Sequence, residues 1–286
     1  MPKRSGWYKP GQTTGLTACF RLCNLAQGSY RKRNLVNMSK KLTVLAAATH
    51  PDDVEVDCAG TLIRYVKEGH KVYIAIACTG NVGSKIHTGP EIEAIRAIEA
   101  QKGADVIGAE LIHWDFKDAE VWLNDTTWKR YVDLIRMTNP DVIITMERDE
   151  YVHDHTNVGE LAYRAAIWAS TANITGTEYP PIDHIPTVFR METTGTYRNA
   201  PPDYYVDITN EFDQKIEAFK QHASQHGDFL EKQFGVKDWY EYVTVVNKLR
   251  GFQCGCKYAE AFRMVNTWPN QKAYRLLPPV QYGTED

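Results

Sequence analysis

From residue 41 onward, apolar runs alternate with amphipathic stretches. Residues 42–48 form a short apolar run, the pattern of a buried strand. Residues 54–68 have helical spacing, with Leu62, Ile63 and Val66 on one side and Gly69 as a stop. A second strand is predicted over 71–78, then a glycine-containing loop over 79–90. A helix over 91–102 is closed by Gly103, and a short third strand covers 111–114. A helix over 126–137 ends at Asn139-Pro140, a fourth strand covers 141–146, and a helix covers 155–170. Beyond Thr171 the pattern loosens. Pro180-Pro181 and Pro201-Pro202 mark loops, strands are predicted over 187–192 and 204–208, and helices over 209–225 and 238–248. The alternation predicts an α/β fold: a Rossmann-like, mostly parallel sheet flanked by helices, with a C-terminal extension completing the same domain.

Composition narrows the class. Of 286 residues, 43 % are apolar and 24 % charged, ordinary globular usage that excludes fibrous and wholly disordered chains. No run of about 18 apolar residues occurs, so no membrane span is expected. A net charge of −3 gives no general attraction to nucleic acid. The charge is unevenly spread, however. Residues 1–51 hold nine Lys or Arg and no Asp or Glu. Residues 1–40 are expected to be a poorly structured basic leader, ahead of one domain over 41–286. Such a leader has three readings: a targeting segment, an arm for nucleic acid or membrane, or non-native sequence ahead of a start at Met38. The last is preferred. Six cysteines, at 19, 23, 58, 78, 254 and 256, do not read as a disulfide framework, and their spacing fits no standard zinc knuckle. A reducing, cytoplasmic setting is expected, with organelle targeting by the leader as the alternative.

Two segments carry candidate chemistry. Thr49-His50-Pro51-Asp52-Asp53 follows the first strand directly. In open parallel sheets, ligands bind beyond the carboxyl ends of the strands. His50 and Asp53 are spaced to converge on one ion, leaving Asp52 free; the structural alternative is a polar turn with a capping aspartate. His153-Asp154-His155 follows the fourth strand. Together the segments would assemble two His and one carboxylate with coordination positions left open, as catalytic sites require. Which imidazole of the second segment binds is ambiguous on spacing alone.

Over most of residues 42–265 the chain resembles the LmbE-like, or PIG-L, family of zinc-dependent de-N-acetylases. Five pieces carry the likeness: His50-Pro51-Asp52-Asp53 with Gly60-Thr61-Leu62; Arg96 and Glu99 with Ile107-Gly108; Asp154-His155 with Gly159; Lys215, Ala218, His222, Ser224 and Gln225; and Tyr258-Ala259-Glu260-Ala261-Phe262. The resemblance implies one Zn2+ per chain, or another divalent metal, on His50, Asp53 and His155. It implies Asp52 as general base and Arg96 as a contact to sugar hydroxyls. His222 is taken as a second substrate contact, and Asp154 and Glu260 as supports behind the ligands; for Glu260 the alternative is a structural salt bridge. Many members read Asp-x-His-Pro-Asp-His where this chain has Glu150-Tyr151-Val152-His153-Asp154-His155. The family's first His falls on Val152, so the acid role passes to His153 or to Asp52 once protonated.

The expected activity is hydrolysis of an acetyl amide on an N-acetylglucosamine-type amino sugar. The expected partner is that small molecule, with no nucleic acid and room for a homo-oligomer. Specificity is expected in residues 81–90 and 173–202. Two alternatives remain. One is a weakly catalytic zinc- and sugar-binding paralogue. The other is a non-haem iron oxygenase, whose His-x-Asp…His pattern His50, Asp52 and His155 would meet.

Overall fold

The computed structural model describes residues 41–192, 201–226, 231, 235, 237–265 and 276–278. The basic leader and its Cys19 and Cys23 lie outside them, as do residues 193–200 of the expected specificity segment.

The first strand, β1 (Thr43–Ala48), is apolar and buried from Val44 on, and it pairs in parallel with two neighbours. No position on it has a solvent face, so a run of small and branched apolar residues is the sequence that fits. The predicted helix that follows is broken in two. Helix α1 (Asp53–Asp57) ends at Cys58, whose φ of −144° is not helical, and α2 (Ala59–Lys67) restarts there. Strand β2 (Lys71–Cys78) forms where predicted.

Helix α3 (Gly89–Ile107) departs from expectation. Gly103 does not stop it; the stop is Gly108, in the left-handed conformation at φ +84°. Gly103 is there for space: a Cβ would stand 2.4 Å from Glu55 Oε1 and 3.0 Å from His222 Nε2. The start is fixed by a reciprocal capping box between Thr88 and Glu91.

Strand β3 (Glu110–Phe116), helix α4 (Asp125–Thr138), strand β4 (Val142–Thr145) and helix α5 (His153–Trp168) follow in order. Then come β5 (Thr187–Met191), β6 (Tyr204–Asp207), α6 (Phe212–Lys220), a 3-10 turn at Ala223–Gln225, α7 (Trp239–Cys254) and β7 (Ala259–Met264). The expected helix over 209–225 is thus shorter and ends before the turn. Strand β7 was not anticipated.

Among the described residues the sheet has seven strands in the order β3-β2-β1-β4-β5-β7-β6. The first five strands are mutually parallel; β7 runs antiparallel to β5 and β6. The fold is α/β, with the C-terminal strands extending the same sheet. The chain moves outward from β1 to β3, then crosses back to β4 on the other side of β1. The loops after β1 and β4 therefore flank the switch point, where a crevice opens at the carboxyl edge.

Candidate metal centre

The loop after β1 is built around its own last residue. Asp53 Oδ2 accepts the backbone N–H of Thr49 at 3.1 Å and of His50 at 2.7 Å. The capping-turn and ligand alternatives are thus compatible: one oxygen brackets the loop, while Oδ1 lies 3.7 Å from His155 Nε2. Asp52 sits at φ +112°, a left-handed conformation that costs a non-glycine residue about 1–3 kcal/mol. Arg96 of α3 holds it there. The guanidinium donates to the Pro51 carbonyl and, at 3.0 Å, to Asp52 Oδ1. Gly80 and Gly83 lie over the same guanidinium, where a Cβ would come within 2.7 Å of it at Gly80 and 2.6 Å at Gly83.

The loop after β4 and the first turn of α5 supply the other half. His155 Nε2 faces His50 Nδ1 at 3.1 Å. Each imidazole turns its second nitrogen to a carboxylate: His50 Nε2 is 3.7 Å from Asp154 Oδ2, and His155 Nδ1 is 3.4 Å from Glu150 Oε2. Such partners fix the tautomer and the ring plane of a metal-ligating His. Asp154 also accepts the N–H groups of Ala119 at 2.5 Å and Val121 at 3.2 Å, so it ties the segment after β3 to the same point. Burial raises its carboxyl, but hydrogen bonds from His50, Ala119 and Val121 outweigh burial and hold it below the usual range.

One ligand atom from each of His50, Asp53 and His155 lies within 4.8 Å of the others. The electrostatics favour a cation between them. Burial pulls the His155 imidazole down, yet Asp53 and Glu150 overcome it and push it up to about 9. The Asp52 carboxyl is pushed up to about 6, chiefly by burial; Arg96 opposes and Asp53 adds to the rise. Two imidazoles and a carboxylate are the nitrogen and oxygen donors that suit zinc, and three protein ligands leave a position open. His50, Cys78 and Asp154 form a second close group. It suits a metal less well, because burial keeps the Cys78 thiol protonated and Asp154 is committed to two backbone amides. The donor set holds Asp53 rather than Asp52, so the His-x-Asp arrangement of an iron oxygenase is not the one formed.

The remaining expected residues divide. Arg96, expected at sugar hydroxyls, is 4 % exposed and turned onto the loop it supports; its Nε has no partner among the described residues. His222, expected as a substrate contact, is completely buried, with Nε2 3.3 Å from Glu55 Oε2. A side chain sealed beneath α3 at Gly103 does not reach a ligand, so that assignment is corrected. Glu260 does not stand behind a ligand either. It accepts Gly60 N–H at 2.9 Å, Thr61 N–H at 2.7 Å and Lys215 Nζ at 2.6 Å, the structural salt bridge that was its alternative. His153 lies beyond Asp154 from His50: its Nε2 is 3.2 Å from Asp154 Oδ1 and 3.1 Å from the Ala119 carbonyl, and its ring stacks on Trp122 at 5.2 Å. Sequence reading missed Glu150 as the partner of His155. Its signal was present in the Glu150–His155 motif, but the five-residue reach back to His155 depends on the loop's path.

Residues 45–166 match the PIG-L family, described as GlcNAc-PI de-N-acetylase. The diacetylchitobiose deacetylase of Thermococcus kodakarensis is 27 % identical over 229 residues, covering 78 % of this chain and 82 % of that protein. The 4-oxalmesaconate hydratase of Pseudomonas putida is 24 % identical over 234 residues, covering 78 % and 84 %. In fold, the N,N'-diacetylchitobiose deacetylase of Pyrococcus horikoshii superposes with a TM-score of 0.69 at 22 % identity, over 84 % of this chain and 92 % of that one. Over residues 45–166 the chain is thus similar to the PIG-L, LmbE-like family. The relatives it matches are named as deacetylases and a hydratase. No helix among the described residues is long and apolar enough to cross a membrane.

Proposed function

We propose that the chain is a zinc-dependent de-N-acetylase that removes the acetyl group from the amide nitrogen of an N-acetylglucosamine-type amino sugar or its conjugate. The carrying observation is the convergence of His50, Asp53 and His155 beside a half-buried Asp52 whose carboxyl is pushed up to about 6. Zinc held by those three residues supplies Lewis acidity, which polarises a carbonyl and brings the pKa of water from ~15.7 toward ~7.

Asp52 does the proton work. It accepts the proton of the attacking water at a carboxylate oxygen; a value near 6 suits a base that must later act as an acid. It then returns that proton to the departing sugar amine. Val152 in place of the family's first His, and His153 turned to Ala119 and Trp122, support giving both transfers to Asp52 in this reading. Arg96 keeps Asp52 in its strained conformation, so its contribution is orientation. Asp154 and Glu150 fix the two imidazole rings.

A hydratase reading is motivated by the 4-oxalmesaconate hydratase likeness. Activated water and a proton-carrying carboxylate also serve addition of water to a carbon–carbon double bond. The deacetylase reading is preferred because the family description and the diacetylchitobiose deacetylase relative both name an amide substrate.

The test is metal content together with acetate release from a panel of N-acetylglucosamine derivatives. About one zinc per chain, acetate release lost in Asp52→Asn and zinc lost in His155→Ala are expected. A folded chain that binds no divalent metal overturns the reading. Metal with hydration of an unsaturated dicarboxylate, and no acetate release, replaces it with the second one.

A further inference from the structure

Four cysteines lie among the described residues, all of them free. Cys58 and Cys78 are sealed in the core, where burial keeps their thiols protonated. Cys254 and Cys256 differ. Both are half-buried at the C-terminal end of α7, and their sulfurs stand 3.5 Å apart. Neither belongs to the group of donors at the candidate centre.

The path of the chain fixes that approach. Gly255, between the two, ends α7 in the left-handed conformation at φ +82°, ψ 29°. Across one residue of helical conformation, of either hand, the flanking Cα atoms stand about 5.4 Å apart. Disulfides bridge Cα separations of about 4.4–6.8 Å, most often near 5.5–6 Å. The N–H groups of Gly255 and Cys256 both donate to the Gly251 carbonyl, at 2.8 Å and 3.0 Å. A Cβ on Gly251 would stand 2.6 Å from the Cys256 carbonyl oxygen, so the chain folds back this closely only over a glycine. Beyond the turn, Tyr258 is held by its N–H to Thr209 Oγ1 at 3.3 Å and by its ring, stacked on Phe212 at 3.7 Å. Cys256 Sγ donates to the Tyr258 carbonyl at 3.2 Å. The helix on one side and this anchor on the other hold the two thiols face to face. Side-chain rotation suffices to close 3.5 Å to a bond of about 2.05 Å.

We propose that Cys254 and Cys256 are a paired dithiol, oxidised reversibly to an intramolecular disulfide by a low-molecular-weight disulfide. The Cys254 thiolate attacks one sulfur of the small disulfide, and the other half leaves as a thiolate. The Cys256 sulfur then attacks Cys254 Sγ, and the second half departs with the Cys256 proton as a thiol. One sulfur–sulfur bond breaks and one forms; the protein thiols are oxidised and the small disulfide is reduced. Cys254 leads because Cys256 keeps its proton: burial first, then the Cys254 sulfur and the Asp207 carboxylate, push its thiol up to about 12. The proposal is independent of the deacetylase reading.

The test is mass mapping of the full chain after incubation with excess oxidised glutathione and alkylation of the remaining thiols. Trypsin cuts after Arg250 and Lys257, so both cysteines fall in one peptide, residues 251–257. The expected product is that peptide without alkyl groups and two hydrogens lighter than the dithiol, returned to the doubly alkylated form by dithiothreitol. In Cys256→Ser, Cys254 should retain one glutathione. In Cys254→Ser, Cys256 should take it up at least about tenfold more slowly. A doubly alkylated peptide after oxidation, glutathione left on both sulfurs, or a bond from either cysteine to Cys19 or Cys23 overturns the proposal. Equal uptake by the two serine variants overturns the order of attack.

Discussion

Two sets of ionisable side chains, one fully buried and one partly buried, flank the start of the first helix pair, and they differ in how completely each is paired. Lys215 and Glu260 are both fully buried, 2.6 Å apart. Lys215 also donates to the Val56 carbonyl at 2.7 Å, and Glu260 takes the first amides of α2. Every charge there has a partner, and the result is a closed anchor that fixes the helix behind the catalytic loop. His155 is buried and His50 and Asp53 half-buried, and His50 Nδ1, Asp53 Oδ1 and His155 Nε2 face one another. Burying polar groups without closing their bonding is costly, and a chain tolerates that where a ligand completes the set. The difference between a closed and an open cluster, more than burial or charge, separates scaffold from site.

The sharpest way to break this contrast is to remove the proton carrier and leave both clusters intact. Asp52→Asn should lower acetate release by about 10²–10⁴-fold, with metal content and thermal stability retained. Unchanged turnover would remove Asp52 from the chemistry. Next comes the closed cluster. Lys215→Met leaves Glu260 buried without its counter-charge and should cost about 3–5 kcal/mol in chemical denaturation. Zinc affinity in the protein that stays folded should be unaltered; a loss of affinity as large as the loss of stability would merge the two clusters into one.

The carboxylates behind the imidazoles come third. Glu150→Gln and Asp154→Asn should each weaken zinc binding about 10–100-fold, measured by competition with a chelator. A variant that binds as tightly as the parent would show that its carboxylate does not orient a ligand. Gly103→Ala tests the packing shared by Glu55 and His222, and should destabilise by about 1–3 kcal/mol through the clash at 2.4 Å. Neutral stability there would mean that α3 shifts freely against the 3-10 turn.

The smallest effect lies outside both clusters. Burial holds the His70 imidazole below its ordinary value of 6.5, against the upward pull of Glu68. Its Nδ1 accepts the Leu42 N–H at 3.0 Å, at the head of β1. A depressed imidazole contributes stability that is present above the unfolded value and lost as pH falls through the folded one. The melting-temperature gap between the parent and His70→Ala should therefore narrow on acidification from about pH 7 to about pH 5. A gap that stays constant would show that the Leu42 bond does not depend on an unprotonated ring.

Much of the fold was legible because its signals are local. The apolar runs of β1, β2 and β4 reflect strands buried on both faces, and that requirement acts residue by residue. Errors fell where distant chain decides. Gly103 read as a helix stop because glycine is a weak helix former; it is in the helix because Glu55 and His222, from elsewhere in the chain, leave no room for a Cβ. Strand β7 was missed because its sequence, Ala259-Glu260-Ala261-Phe262-Arg263-Met264, mixes charge with apolar residues. Its buried Glu260 is intelligible only once Lys215 and two helix amides are brought to it.

The site divides in the same way. Sequence alone determined the donor types, their place after the first and fourth strands, and the resemblance to a family, because these depend on residue identity and order. Spacing already pointed to Asp53 rather than Asp52; tertiary structure decided how that is held, using one Asp53 oxygen to bracket the loop and keeping Asp52 at a positive φ under Arg96. It turned His153 toward Trp122 and brought Glu150 back to His155. Those choices rest on backbone direction at single residues and on contacts across 33 to 105 positions, which no local pattern encodes.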